Sequence, residues 1–486
     1  MIPSLREACG VMGVFAPAED VARLTFFGLH SLQHRGQESA GIATADGGPE
    51  IRRFAEMGLV TQIFHEEALA GLKGSHAVGH TRYSTTGSSI DANMQPLIVA
   101  GPYGELALAH NGNVVNADLL RRDLLESGIA FATGTDSEVL AQLIANAPGN
   151  SWEQRFSYLM RRANGAYSLT VLTPDALFGV RDPLGIRPLC LGKLDGGWVL
   201  ASETCALDTI GAELVREVAP GEVVRIDAAG VQSWIFGDGE GEVRAEVSAL
   251  CLLEHIYFAR PDSLLLGERL YAVRMQLGAQ LAREHPADAE VVIGIPDSAI
   301  AAAVGYAQES GIPYVEGLVK NRYVGRTFIQ PDQRLRDRGV ELKFNPLPEL
   351  LEGRRVVVVD DTIVRGTTTP RVVAMLRKAG AREVHMRITS PPITHPCFYG
   401  VDMATRGELI AAHLDVEQTR EHIGADSLGY LTLEGTIGAT GQGSNDLCSA
   451  CFSGQYPSDV PLQLDKLALE ADVSRDRHAI PLRAIH

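Results

Sequence analysis

Nowhere in its 486 residues does the sequence hold an apolar run close to the ~18 residues that a membrane-spanning helix needs. The first eight residues, MIPSLREA, have no apolar signal-peptide core and include a Glu. Both absences give the expectation of a cytoplasmic protein that does not engage membrane. Basic charge is in deficit: 43 Lys and Arg stand against 60 Asp and Glu, a formal net charge of −17. A surface this acidic repels nucleic acid and anionic lipid, so neither is expected as a partner. Small anionic substrates stay open, because a local cluster of Arg and Lys can oppose the overall field. The seven cysteines, in a cytoplasmic chain, are not expected to form structural disulfides. Buried thiols, metal ligands or nucleophiles are the alternatives. No internal repeat and no low-complexity segment is visible.

What is present is an ordinary globular composition, 45% apolar and 21% charged. At about 150 residues per domain the length suggests two or three domains. From residue 9 to about 240, short apolar runs such as CGVMGVFA, ELALAHNGNVVN and AYSLTVLTPDALFGVRD alternate with Gly, Asn and Asp. Such runs read as strands with tight turns. Helical stretches are expected at 20–33 and at 137–147, the second just after the helix-start signal TDSE. Strands plus helices in this half make sheet-on-sheet packing plausible. Around 225–250 the chain turns polar and Gly-rich (FGDGEGEVRAE), a candidate linker. Beyond it, continuous apolar runs (EVVIGI, VVVV) alternate with helix-compatible AIAAAVGYAQESG and RVVAMLRKAG. That alternation indicates a parallel sheet covered on both faces. The tail 455–486 is unpatterned and is assigned no function.

VVVVDDTIVRGTT at 356–368 is the most specific signal. Four Val residues make a buried strand, and Asp360 and Asp361 emerge at its carboxyl end, where open α/β sheets bind ligands. The loop 362–368 (Thr362, Ile363, Val364, Arg365, Gly366, Thr367, Thr368) then leads to a helix starting near Pro370. Backbone N–H groups at a helix start, with hydroxyls, suit a phosphate. Adjacent carboxylates suit ribose hydroxyls or Mg²⁺. A bare DD pair after a strand would be an ordinary solvated turn; the attached TIVRGTT is what makes it specific. The stretch resembles the 5-phosphoribosyl-1-pyrophosphate (PRPP) signature of type I phosphoribosyltransferases. The resemblance implies ribose 5-phosphate on 362–368, ribose hydroxyls near Asp360 and Asp361, and pyrophosphate at GIPDSAI through Asp297 and Ser298. It further implies Mg²⁺ at Ser298, Asp360 and Asp361. The segment 320–343 carries Lys320, Arg322, Arg326, Arg334, Arg336, Arg338 and Lys343. By itself this is a solvated loop; within the family it would be a lid closing on the polyphosphate.

A Cys at a strand start, like Cys9, is by itself more often a packed thiol. Its company differs: LQHRGQESAGI at 32–42, HTRYSTTG at 80–87, HNGNV at 110–114 and GTDSE at 134–138 are polar and turn-rich amid apolar runs. Together they resemble the glutaminase domain of class II glutamine amidotransferases, whose mature chains begin with Cys. The resemblance makes Cys9 the nucleophile, Arg82 the partner of the glutamine carboxylate and Asp136 the partner of its ammonium. Asn111 and Gly112 become the oxyanion hole, and Arg35 and Gly36 shape the wall by the nucleophile. An N-terminal Cys has a physical purpose: its free α-amino group has a pKa of about 7.7–8.0, close to the ~8.5 of a thiol. That amine can take the thiol proton and later return one to departing ammonia. Residues 1–8 are therefore expected to be removed.

The two halves in this order resemble the amidophosphoribosyltransferases across nearly the whole chain. The implied architecture is an α+β N-terminal-nucleophile hydrolase sandwich (αββα), then an α/β type I phosphoribosyltransferase domain with a parallel sheet. Boundaries are expected at 1–8 (propeptide), 9–240 (glutaminase), 241–454 (phosphoribosyltransferase with cluster-binding segments) and 455–486 (tail). The implied reaction is glutamine + PRPP + H₂O → 5-phosphoribosylamine + glutamate + pyrophosphate, the first committed step of purine synthesis, with ammonia passed internally. Cys448-x-x-Cys451 signals a metal on its own account, and thiolate softness allows Zn²⁺ or an iron–sulfur cluster. Spacing does not choose the remaining ligands among Cys190, Cys205, Cys251 and Cys397; the first two read as core thiols. Family members with a propeptide tend to carry a [4Fe–4S] cluster on cysteines matching Cys251, Cys397, Cys448 and Cys451. Its role would be structural, since no step moves an electron. The family also implies feedback inhibition by purine nucleotides and a homo-oligomer, expected as a tetramer. His80, His110 and His385 read as packed or hydrogen-bonded; His30 and His34 have no assigned role. A glucosamine-6-phosphate synthase would lack the 356–368 motif, and an asparagine synthetase would need an SGGxDS loop that is absent. A PRPP-sensing regulator would more readily carry a basic DNA-binding segment.

Overall fold

A computed structural model describes residues 9–83, 90–236, 248–321, 343–403 and 405–460. Residues 1–8, most of the 320–343 segment and 461–486 lie outside the described residues. The chain divides into two compact bodies.

The first body comprises residues 9–236 and 248–250, joined by 398–403 and 457–460. It holds two largely antiparallel sheets. One has seven strands, in the order Glu213–Glu217, Cys190–Leu194, Gly197–Ala201, Gly10–Phe15, His76–Arg82, Ser39–Ala45 and Arg52–Met57. The other has six, in the order Gly230–Ile235, Glu222–Asp227, Leu177–Arg181, Gly165–Leu172, Gly104–Val114 and Leu97–Gly101. Every residue of Gly10–Phe15, Ser39–Ala45 and His76–Arg82 is buried. These strands do not alternate apolar and polar because both faces are covered: helices lie on one side and the second sheet on the other.

Three apolar cores separate the four layers. Val11, Val78, Ala107, Leu177 and Leu200 fill the space between the sheets. Val21, Leu29 and Leu207 seat helices on the seven-stranded sheet. Leu120, Leu140 and Phe156 seat helices on the six-stranded one. The sheets interlock through missing side chains: a Cβ on Gly13 would lie 2.9 Å from Leu177, and one on Gly179 would lie 2.7 Å from Leu200. This is the αββα sandwich. The expected helices form as Val21–Ser31, capped by Asp20 on the Arg23 amide, and Asp136–Ala145, capped by Thr135 on the Glu138 amide. One expectation is corrected. The start of the proposed 225–250 linker is a hairpin, Glu222–Asp227 pairing with Gly230–Ile235 as the edge of the six-stranded sheet. The apolar positions Val224, Ile226, Val231 and Trp234 pair and pack, which a reading of the Gly-rich part alone obscures.

The second body comprises residues 251–321, 343–397 and 405–456. Its centre is a parallel four-stranded sheet, Val291–Gly294, Arg355–Asp360, Glu383–Ile388 and Ser427–Tyr430, in that order. Val356 to Val359 are fully buried, as the uninterrupted Val run requires. The helices Leu270–Glu284 and Ile300–Ser310 pack backbone against backbone. A Cβ on Gly278 would meet the Ala302 carbonyl at 1.8 Å, and one on Gly305 the Met275 carbonyl at 1.9 Å. Among the described residues no helix is long and apolar enough to cross a membrane.

Candidate active site

In the first body, the antiparallel register Gly10↔Thr81 carries Cys9 to the end of the strand that supplies Arg82. Cys9 Sγ donates to the Tyr83 carbonyl at 3.3 Å and accepts from the Tyr83 amide at 3.4 Å. Burial pushes the thiol up to about 11, against the pull of the Tyr83 amide and the Arg82 guanidinium; the Glu38 and Asp136 carboxylates add to the rise. The thiol therefore has a cation and two anions within electrostatic reach, and it is protonated at neutral pH. Asp136 opens its helix, where a carboxylate complements the helix dipole, and its Oδ2 accepts the Val114 amide at 3.0 Å.

Val114 ends the strand that bears Asn111 and Gly112. Asn111 is fully buried, and neither its side-chain oxygen nor its nitrogen has a hydrogen-bond partner among the described residues. An orphaned buried amide costs about 1–3 kcal/mol, an expense that a bound ligand would recover. Gly112 has φ +150°, and a Cβ there would meet the Ala166 carbonyl at 2.0 Å. Gly36 presses on the next strand, where a Cβ would come within 2.5 Å of the Thr81 carbonyl carbon.

In the second body, Asp360 and Asp361 end the Val strand. Burial raises both carboxyls, and the charge of Asp361 raises Asp360 further. Asp361 accepts from Thr362 Oγ1 at 2.7 Å and from the Ser298 side chain. The following loop is pinned by Ile410, whose amide donates to the Val364 carbonyl at 2.9 Å, and by His422 Nε2, 3.1 Å from the Gly366 carbonyl oxygen. Gly366 sits at φ +63°, where an L side chain is strained. Among the described residues the Thr368 hydroxyl is buried without a partner, immediately before the helix Thr369–Lys378. A free donor at a helix start beside paired carboxylates suits a sugar phosphate.

Known proteins agree with both halves. Residues 80–209 match the glutamine amidotransferase domain family, and residues 262–389 the phosphoribosyl transferase domain family. An amidophosphoribosyltransferase of Synechococcus elongatus is 53% identical over 96% of this chain and 94% of its own length. That of Methanocaldococcus jannaschii is 47% identical over 93% and 98%. The chain belongs to the amidophosphoribosyltransferase family. Among solved structures, the glutamine PRPP amidotransferase from B. subtilis complexed with ADP and GMP superposes with a TM-score of 0.87 at 45% identity, covering 95% of this chain and all of that one. The enzyme takes nitrogen from glutamine and transfers it to PRPP in purine synthesis.

The structure of this amidophosphoribosyltransferase groups Cys9, Arg82 and Asp136 around one thiol, and Ser298, Asp361 and Thr362 around one carboxylate. Other expected residues act differently. The Arg35 guanidinium is fully buried and donates to Glu203, so its side chain braces the wall from behind. Arg365 pairs with Glu408 at 3.0 Å, and Ile363 and Val364 are buried, which leaves these three only their backbone to offer the loop. Asp297 is exposed and pairs with Lys320. The lid arginines Arg322, Arg326, Arg334, Arg336 and Arg338 lie outside the described residues. The histidines are structural: His80 Nε2 lies 3.0 Å from the His110 carbonyl oxygen, and His385 Nδ1 is 2.9 Å from Ser427 Oγ.

The sequence leaves His34 without a role and does not single out Glu203, which it meets at 2.6 Å, nor Asn113 and Arg187. Only the position of Asn113 inside HNGNV offered a signal; nothing in SETC or GIRP distinguishes Glu203 or Arg187 from ordinary polar residues at strand ends.

Cys190 and Cys205 lie in the core beneath the seven-stranded sheet. The other four cysteines come from three segments of the second body. Cys251 and Cys448 lie on two short paired strands, and the Cys451 carbonyl accepts the Thr394 and His395 amides at 3.0 and 3.1 Å. The Cys451 thiol is raised well above its ordinary value, first by burial and then by the nearness of Cys251, Cys397 and Cys448. As they stand, no three Cys, His, Asp or Glu side chains among the described residues are set closely enough to hold a metal ion.

Proposed function

We propose that Cys9 is the nucleophile of glutamine hydrolysis and that the 362–368 loop with Asp360 and Asp361 holds the PRPP acceptor. The observation that carries the glutaminase half is the Cys9 thiol lying under the influence of both Arg82 and Asp136. Opposed charges of this kind suit the carboxylate and ammonium of an amino acid. Cys9 attacks the glutamine amide carbon, and the resulting oxyanion takes hydrogen bonds from the Asn111 side chain and the Gly112 amide. Ammonia leaves, a thioester forms, and water releases glutamate. A thiol held near 11 needs a base, and among the described residues its hydrogen-bond partner is the Tyr83 backbone. Removal of residues 1–8 would supply that base as the Cys9 α-amino group.

Ammonia then displaces pyrophosphate at ribose C1. Transfer is internal, because ammonia released to water at neutral pH becomes unreactive ammonium. Asp360, Asp361 and Ser298 would hold Mg²⁺; two adjacent carboxylates, both raised by burial, are a set that a divalent cation relieves. When bound, the ion neutralises charge on the pyrophosphate. Asp297 and the Ser298 side chain would orient that leaving group, and the backbone of 362–368 with the Thr368 hydroxyl the 5-phosphate.

Cys251, Cys397, Cys448 and Cys451 would hold a [4Fe–4S] cluster in a structural role. Four thiols from three segments, two of them on paired strands, form a donor set of that chemistry. The ADP and GMP of the B. subtilis relative support purine nucleotides as feedback inhibitors here. We further infer a cytoplasmic homo-oligomer, expected as a tetramer, to be measured by light scattering.

Replacing Cys9 with Ser tests the central reading. Glutamine-dependent formation of phosphoribosylamine should vanish while formation from high ammonia persists; loss of neither would overturn it. N-terminal sequencing of active enzyme should begin at Cys9, and anaerobic iron and sulfide analysis should give four of each per chain.

A further inference from the structure

Residues 398–400 run along the strand that carries Asn111 and Gly112, and they are held there by two buried side chains. Asn113 Nδ2 donates to the Phe398 carbonyl at 2.9 Å. Arg187, with no exposed surface, donates through Nε at 3.1 Å and Nη2 at 2.9 Å to the Tyr399 carbonyl. The Tyr399 hydroxyl is tied in turn to Ser458 Oγ at 2.9 Å. The third residue, Gly400, has φ +98°, and a Cβ on it would lie 2.8 Å from the Gly112 carbonyl carbon. Gly112 also lies close to Ala166 on the neighbouring strand, whose carbonyl oxygen would be 2.0 Å from a Gly112 Cβ. Gly112 is thus packed closely against the backbones of Gly400 and Ala166, which limits movement of its α-carbon and carbonyl beside the Gly112 amide.

We propose that residues 398–400 are the outer wall of the oxyanion hole and that Asn113 and Arg187 are positioning residues for glutamine hydrolysis. This deepens the reading in which Asn111 and Gly112 stabilise the oxyanion, and it rests on that reading. A hydrogen-bond donor serves a transition state only when it is already aimed at the developing charge, so a small rotation of the Gly112 amide lowers the rate without weakening substrate binding. Two charge-assisted donors on one carbonyl fix the wall more firmly than packing alone. Both contacts are to backbone carbonyls, and the Tyr399 hydroxyl adds a side-chain tie through Ser458.

The test uses the processed, metal-loaded enzyme with Asn113→Ala, Arg187→Ala, Arg187→Lys and Gly400→Ala, and Asn111→Ala as the reference. For Asn113→Ala, Arg187→Ala and Gly400→Ala, kcat for glutamine hydrolysis should fall about tenfold or more, while KM for glutamine changes by less than about twofold. Binding of a glutamate γ-semialdehyde probe, which forms a tetrahedral adduct with the thiol, should weaken by a similar factor. Formation of phosphoribosylamine from ammonia should be retained. Arg187→Lys, which keeps a cationic donor for Tyr399, should recover part of the loss. Should the variants lose glutamine- and ammonia-dependent rates in parallel, or should Asn111→Ala lose hydrolysis while Asn113→Ala and Arg187→Ala keep it, the positioning role is overturned and the oxyanion hole stands. If Asn111→Ala hydrolyses glutamine normally, the oxyanion reading itself is lost.

Discussion

Arg35 and Glu203 form an ion pair with almost no access to solvent, the two side chains being 0% and 2% exposed. His34 shares the same carboxylate oxygen at 2.6 Å, and Cys205 Sγ lies 3.7 Å from the other. One buried carboxylate therefore fixes the turn that leads into Gly36, and Gly36 rests on the backbone of Thr81 and Arg82. Removing one partner of a buried pair strands the other charge, a loss of about 3–5 kcal/mol. Glu203→Ala is expected to lower the thermal midpoint of the glutaminase half by several degrees and to raise KM for glutamine through Arg82. Glu203→Gln, which keeps an acceptor, should lose less. Calorimetry and glutaminase kinetics on both variants check this; a Glu203→Ala enzyme as stable as the parent would exclude the bracing role.

Cys9 makes a prediction that distinguishes precursor from mature chain. With residues 1–8 attached, the thiol titrates near 11, so its alkylation by iodoacetamide should rise by about tenfold per pH unit from pH 7 to pH 10. A free α-ammonium at Cys9 would stabilise the thiolate and bring the thiol down. The processed enzyme should therefore react faster at pH 7.5 and level off at lower pH. Identical pH profiles for the two forms would contradict the role given to the amine.

Thr368 should separate binding from stability. Its hydroxyl is buried and, among the described residues, unpartnered, so Thr368→Val removes a desolvation penalty while keeping shape. Thermal stability should stay level or rise slightly. KM for PRPP should rise about tenfold, the value of one charge-assisted hydrogen bond to a phosphate. A fall in stability with unchanged KM would place the hydroxyl in the scaffold instead.

These residues also mark what a sequence discloses. The strand 356–359 and the acidic pair at its end were legible because four consecutive β-branched Val, bounded by a turn-rich loop, favour a strand buried on both faces. Arg82, Asp136 and Asn111 stood out because each sits in a polar, turn-rich island between apolar runs, and Cys9 was singled out only by the company of those islands. Glu203 and Arg187 were not, since their meaning depends on partners 168 and 212 residues away, Arg35 and the Tyr399 carbonyl. The sequence places Arg35 in the wall by the nucleophile but does not tell that its guanidinium points to Glu203. The hairpin at 222–235 was hidden by the Gly-rich stretch beside it.

Asp182 gives the stability of the first body a pH dependence of unusual sign for a carboxylate. It is fully buried and accepts the Tyr167 amide at 3.2 Å and the Leu184 amide at 3.0 Å, yet burial outweighs these bonds and the Arg181 charge and pushes the carboxyl up to about 6. In the unfolded chain the same group titrates near 3.9. Between those values the native state holds a proton that the unfolded state has released, so stability falls as pH rises from about 4 to about 6, then becomes level. The span corresponds to on the order of 3 kcal/mol. Asp182→Asn cannot ionise, and it should be less stable than the parent near pH 4.5 with much of the gap closing by pH 7.5. Thermal midpoints of both proteins across pH 4–8 decide the matter. A gap that stays constant or widens with pH would mean that Asp182 is ionised in the native fold.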